Sequence, residues 1–190
     1  MPKIVQEKSY NGAQAKTERL GLAPLMAELR SIVEGFDLRV REVKDANGGA
    51  AVRKMLDQRF GELPDWNTKV SGDIDWRKCT VINGTRVCIG VEVQFSARSD
   101  LLVIDLIHLR KAIDQGEIDV GILVVPSDTL GRYLTDRAPK FADAVRHITE
   151  ARVESLPLVV IALEHDGPGP ALAKQVKADR VKVKGNLTET

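Results

Sequence analysis

The sequence predicts an α+β (mixed α/β) architecture, a mixed central sheet flanked by helices. Three observations predict it. Ile118–Val125 and Leu156–Leu163 are nearly continuous apolar runs, as in strands covered on both faces. Ile74–Ile82 and Thr85–Phe95 alternate on either side of Asn83-Gly84, the strongest short-range hairpin signal. Between them lie helical periods, Leu20–Glu34 foremost. The 190 residues suit one domain spanning 1–190, with a core over about 20–165 and a basic C-terminal segment over 167–190.

A short strand at Pro2–Glu7 opens the chain. Leu22, Leu25, Met26, Leu29, Ile32 and Val33 form one helical stripe that Gly35 ends. Phe36–Val43 alternates as a strand would, with Leu38 and Val40 on one face. Asn47-Gly48-Gly49 reads as a turn, and Ala50–Leu63 as a helix closed by Pro64. After the hairpin, Ser99 or Asp100 can cap a helix running to about Ile113, apolar on most sides and therefore expected to be buried. Pro139–Val153 is helical and fairly polar. From Gly167 the chain is polar and basic, with Lys174, Lys177, Arg180, Lys182 and Lys184 against Asp179 and Glu189.

Composition narrows the function. With 43% hydrophobic and 29% charged residues the chain is globular rather than disordered. A net charge of +1 gives no global field for nucleic acid, so binding of that kind needs a local basic surface. The apolar runs are too short to span a bilayer. The first residues hold no apolar signal core, so a cytoplasmic protein is expected.

The two-residue turn fixes the hairpin register. One face then carries Ile74, Trp76, Lys78, Thr80, Ile82, Val87, Ile89, Val91, Val93 and Phe95, a face built for a core. The other carries Asp73, Asp75, Arg77, Cys79, Arg86, Cys88, Gly90, Glu92 and Gln94 and is polar. On it Asp75 stands directly opposite Glu92, and Asp73 opposite Gln94. Facing carboxylates repel unless a cation lies between them, and this set of oxygens suits a hard divalent ion such as Mg²⁺. Such an ion on a phosphate oxygen is a phosphodiesterase arrangement. The same face also reads as an ordinary solvated hairpin surface with Arg77 and Arg86 as counter-ions. Cys79 and Cys88 face one another as well, and in a reducing cytoplasm two thiols are expected.

Gly72-Asp73-Ile74-Asp75-Trp76 followed by Gly90-Val91-Glu92-Val93-Gln94-Phe95-Ser96 resembles the active-site hairpin of the BglII/BstYI family of restriction endonucleases, in the PD-(D/E)xK nuclease superfamily. Ile118–Pro126 resembles that family's next strand. The resemblance covers about Trp66–Ser127, and it departs from the family in its longer Asp-to-Glu interval.

The resemblance implies a restriction-endonuclease-like PD-(D/E)xK core and a type II, Mg²⁺-dependent DNA endonuclease acting as a homodimer on palindromic double-stranded DNA. Asp75 and Glu92 would bind the metal with the backbone carbonyl of Val93, and Gln94 would orient the attacking water. Asp73 replaces Asp75 if the longer arms bulge. Glu62, Asn67 and Lys69 all qualify as the polar residue that the family places upstream. Arg77, Arg86, Ser96, Arg98 and Ser99 are the candidate DNA contacts, with the basic tail and Arg39, Arg41 and Lys44 behind them. His108 is expected to be a satisfied, half-buried histidine, His147 a surface residue and His165 without a role. A structure-specific or repair nuclease and a non-catalytic DNA-binding protein remain open as alternatives.

Overall fold

A computed structural model describes residues 1–68, 73–96, 101–135 and 137–174. Its elements, in chain order, are β1 (Lys3–Ser9), α1 (Ala13–Arg19), α2 (Ala23–Glu34), β2 (Arg39–Val40), α3 (Gly49–Gly61), β3 (Trp76–Ile82), β4 (Thr85–Val93), α4 (Leu102–Asp114), β5 (Val120–Pro126), α5 (Asp128–Tyr133), α6 (Phe141–Glu150), β6 (Leu158–Glu164) and β7 (Gly167–Pro168). Five strands form one mixed sheet in the order β1-β6-β5-β4-β3. β4, β5 and β6 run parallel to one another, while β3 and β1 close the two edges antiparallel. The predicted architecture is therefore the observed one.

Two apolar layers sandwich this sheet. On one face α2 and α3 contribute Leu25, Leu29, Val33, Val52, Leu56 and Phe60, packed on Val91, Val93, Ile122 and Ile161. On the other, α4 and α6 bring Leu102, Leu106, Leu109, Ala144 and Ile148 against Leu123, Val125 and Val160. Every residue of β5 is buried, as its unbroken apolar run requires. Phe60 stacks on Trp76, with ring centroids 5.1 Å apart, and meets Trp66 edge-on at 4.9 Å. These rings tie α3 to the hairpin base.

Several expectations need correction. The stretch Phe36–Val43 yields only the two-residue β2, because its partner β7 is itself two residues long. Helices α1 and α5 had no counterpart in the sequence reading; both are short and owe their place to packing on β5 and β6. Helix α4 is buried on one face only. Leu102, Leu106, Leu109 and Ala112 point inward, while Leu101, Ile104 and Ile107 are exposed. Over most of β4 the hairpin's polar face is not solvated either, whereas Asp73 and Arg86 on the same face are exposed. The run from Val87 to Phe95 is buried throughout, since α4 and α6 cover the side that α2 and α3 do not. Cys79 and Cys88, expected as thiols, are joined in a disulfide.

Asn47 is more than a turn residue. It is fully buried and satisfied on every side. Its Nδ2 donates to the carbonyls of Arg41 (2.8 Å) and Tyr133 (3.0 Å), and its Oδ1 accepts from the backbone N–H of Arg41 (3.0 Å) and Leu172 (3.2 Å). One side chain thus binds three segments distant in sequence. Asn47→Ala orphans several buried backbone groups and is expected to destabilise the fold by about 3 kcal/mol in urea unfolding. Gly49, the first residue of α3, is equally constrained: a Cβ there would lie 1.8 Å from the Phe95 carbonyl oxygen. That close approach seats α3 across the end of β4.

Candidate active site

The predicted register holds from Ile82↔Thr85 down to Trp76↔Val91, where the backbone ladder stops. Asp73 is the reason. Its φ of 62° is left-handed, which ends strand geometry before the next rungs form. Ile74 consequently turns to the α4 side, beside Gly90, and not to the face of Trp76 as the alternation predicts. Asp73 itself is 78% exposed, near Lys111, so the predicted Asp73–Gln94 rung is absent.

Asp75 nevertheless meets Glu92. Its side chain substitutes for the missing ladder: Asp75 Oδ2 accepts the Val93 N–H at 2.9 Å. The Asp75 and Glu92 carboxyls lie close enough for the charge of Asp75 to act on Glu92. Gln94 is buried just beyond, its backbone N–H donating to the Val124 carbonyl at 2.9 Å. The acidic pair therefore sits at the C-terminal end of β4, next to β5, where parallel sheets place their ligand sites.

Two helices complete the site with Arg53, Asp57 and Asp105, which the sequence did not single out, and with His108, which it set aside. From α3, Arg53 spans the pair's open side. Its Nη2 donates to Asp75 Oδ1 at 2.8 Å, its Nη1 to the Val93 carbonyl at 2.7 Å and its Nε to both oxygens of Asp57 at 2.9 Å. Asp57 also accepts from Trp76 Nε1 at 3.1 Å. From α4, Asp105 and His108 reach the other side. The ligand atoms of Glu92, Asp105 and His108 lie within 4.8 Å of one another, with His108 Nδ1 3.2 Å from Glu92 Oε1. His108 is thus half-buried as expected, but it faces the carboxylates. Sequence signals existed for both additions. Arg53 and Asp57 are spaced as an i,i+4 pair, and Asp105 and His108 are polar residues three apart in an apolar helix.

The electrostatics follow from three acids around one guanidinium. Glu92 is only 2% exposed. Burial, then the charge of Asp75 and its hydrogen bond, then Asp105, push the Glu92 carboxyl up to about 11, against a smaller lowering by the Asp75 backbone N–H. Burial and the charge of Asp75 raise Asp105 to about 7, with Arg53 opposing. Burial works against the charge of Arg53, but Asp75 and Asp57 outweigh it and raise its pKa.

The remaining predicted residues scatter. Arg77 is ion-paired with Glu117 and mostly buried, and Arg86 is exposed near the hairpin tip. Six strand residues, roughly 20 Å, separate Arg86 from Glu92. Neither lies beside the acidic pair. Ser96 is half-buried two residues beyond Gln94. Arg98, Ser99, Lys69 and the tail beyond Lys174 lie outside the described residues. Glu62 pairs with Arg59, and Asn67 bridges to Arg77. His147 is half-buried rather than on the surface, and His165 is held between Glu164 and Glu42.

A mixed five-stranded sheet between helices, with acids gathered at the base of a hairpin, defines a restriction-endonuclease-like α+β domain. The family model for restriction endonuclease BglII/BglIII matches residues 5–163, most of the chain. The chain belongs to that family and is a type II restriction endonuclease, an enzyme that cuts DNA. This membership selects the restriction reading over the two alternatives. No curated protein matches the chain.

Proposed function

We propose that the chain is one endonuclease domain that cleaves palindromic double-stranded DNA as a cytoplasmic homodimer, using Mg²⁺ held by Asp75, Glu92 and the Val93 carbonyl. One observation carries this reading. Asp75, Glu92 and Asp105 gather at the base of the hairpin, with the Arg53 guanidinium on Asp75 and the His108 ring 3.2 Å from Glu92. Carboxylate and carbonyl oxygens are the donors a hard divalent ion prefers, so the residues present fit the metal. Asp105 and His108 extend the donor set on the α4 side. When bound, the ion supplies Lewis-acid stabilisation of phosphate charge and a more acidic water. The chain's own part is positional. Asp75 is fixed by the Val93 N–H, Glu92 lies against the His108 ring, and the Gln94 amide orients the attacking water without taking its proton.

The dimer reading draws on α4, whose outward Leu101, Ile104 and Ile107 form an apolar row beside the site. A two-fold dimer presents one site to each strand of a palindrome. For DNA contacts, Ser96, Arg98 and Ser99 follow the site directly. A second basic region lies where β5 leads into α5: Lys44, Arg132, Arg137 and Lys140 line a basin of about 680 Å³, with Asp45 and Asp143 on its rim. Alanine at any one of these four cations is expected to weaken DNA binding at all sequences and to flatten the salt dependence by about one unit of slope. Fluorescence anisotropy against salt concentration checks this.

Plasmid digestion with and without Mg²⁺, followed by sequencing of the ends, tests the whole reading. Discrete fragments that need the ion and vanish with Asp75→Ala support it. A smear, or cutting that persists in EDTA, overturns it.

A further inference from the structure

We infer that Arg53 is the site's resident counter-cation: its guanidinium holds Asp75 Oδ1 and the Val93 carbonyl, two of the three ligands proposed for the divalent ion, and must release them for the ion to bind. The inference rests on the metal reading above and goes beyond it, since it makes metal affinity a property of α3.

Three features support it. The contacts at 2.8 Å and 2.7 Å are full hydrogen bonds to those two oxygens, so the guanidinium occupies the open side of the acidic pair. Arg53 has a second anchor outside the seat, because its Nε is held by Asp57, four residues on in the same helix. The two Nη groups can therefore let go while the side chain stays tethered. There is also space for them to withdraw: a cleft of about 440 Å³ opens beside the site, lined by Arg53, Asp57, Thr68, Asp73, Asp75 and Trp76. A guanidinium and a divalent ion sharing two oxygens in a half-buried site repel strongly. Their occupancy is a competition. In the metal-free protein Arg53 balances the charge of Asp75, which it holds by a full ion pair.

The test measures Mn²⁺ binding to the full DNA-free chain by electron paramagnetic resonance of the free ion. Wild type, Arg53→Gln, Arg53→Lys and Asp75→Asn are compared, with circular dichroism as the check on folding. Arg53→Gln is expected to bind Mn²⁺ about tenfold more tightly than wild type, Arg53→Lys to fall between them, and Asp75→Asn to bind more weakly. Arg53→Gln should also melt lower without metal and gain more from Mn²⁺ than wild type does, a pattern that mere loss of packing does not give. Equal or weaker Mn²⁺ affinity in folded Arg53→Gln, with wild type binding and Asp75→Asn impaired, overturns the role of Arg53 and leaves the metal reading standing. No Mn²⁺ binding by any of the four overturns both. Should Arg53→Gln fail to fold, nitrogen NMR of the wild-type guanidinium decides: rotation of its Nη groups speeds up on adding Mg²⁺ if the inference holds, and unchanged rotation overturns it.

Discussion

Glu92→Gln abolishes DNA cleavage, by ~10³-fold or more, while leaving the metal-free fold as stable as wild type or slightly more so. The two halves have one cause. Glu92 is buried beside Asp75 and Asp105, and in the absence of a metal its carboxyl carries a proton at neutral pH. A glutamine amide of the same shape resembles that protonated form and adds no charge to a site already rich in it. The folded protein therefore loses little. What it loses is the anionic oxygen that the proposed Mg²⁺ site requires, and with it the chemistry. Initial cleavage rates on a plasmid, together with urea unfolding in EDTA, measure both halves. Retained cleavage removes Glu92 from the catalytic centre. Lost cleavage with a collapsed fold shows instead that the carboxyl is structural.

How much of this was legible beforehand depends on the range of the interaction. The hairpin was legible because Asn83 and Gly84, at φ 50° and 79°, make a two-residue turn that sets every rung after it. That turn and the fourteen residues around it set Asp75 opposite Glu92, and the bond from the Val93 N–H to Asp75 completes the approach. The register failed only below Trp76, where a left-handed Asp73 breaks the alternation. Aspartate tolerates that conformation well, so its sequence gives no warning. The mistaken solvated face has a different origin. Polar residues on β4 are buried because α4 closes over them, and whether a helix covers a strand is decided by packing between segments far apart in the chain. Arg53, Asp105 and His108 were missed for the same reason: each reaches the site from a helix on its own side of the sheet. The facing of Cys79 and Cys88 was legible from the register, and their bonding was not, since it turns on oxidation rather than on geometry. Family resemblance reached the correct class from the strand motif alone, while Arg53 and Asp57, which stand beside the acidic pair, were not among the upstream residues it suggested.

Divalent metal binding at pH 7 releases protons, between about one and two per site, and the metal-free protein loses stability as pH rises. The sign follows from the two raised carboxyls. Glu92 moves from 4.5 to about 11 on folding and Asp105 from 3.8 to about 7. Between the unfolded and folded values the native state holds more protons than the unfolded chain. Their contribution to stability is thus complete below about pH 4 and declines as pH climbs through 7 and towards 11. A bound cation reverses the preference by favouring the ionised carboxylates. Glu92 then gives up its proton, and Asp105, half-protonated near neutrality, gives up part of one. Mn²⁺ should accordingly bind more tightly, and raise the melting temperature by more, at pH 8 than at pH 6. Calorimetric titration with Mn²⁺ in buffers of different ionisation enthalpy reads the proton count directly, and Glu92→Gln should lower it by about one wherever binding survives. Heats that do not change with buffer would mean that the acids at the hairpin base are already ionised without the metal, and that Arg53 alone suffices to balance them.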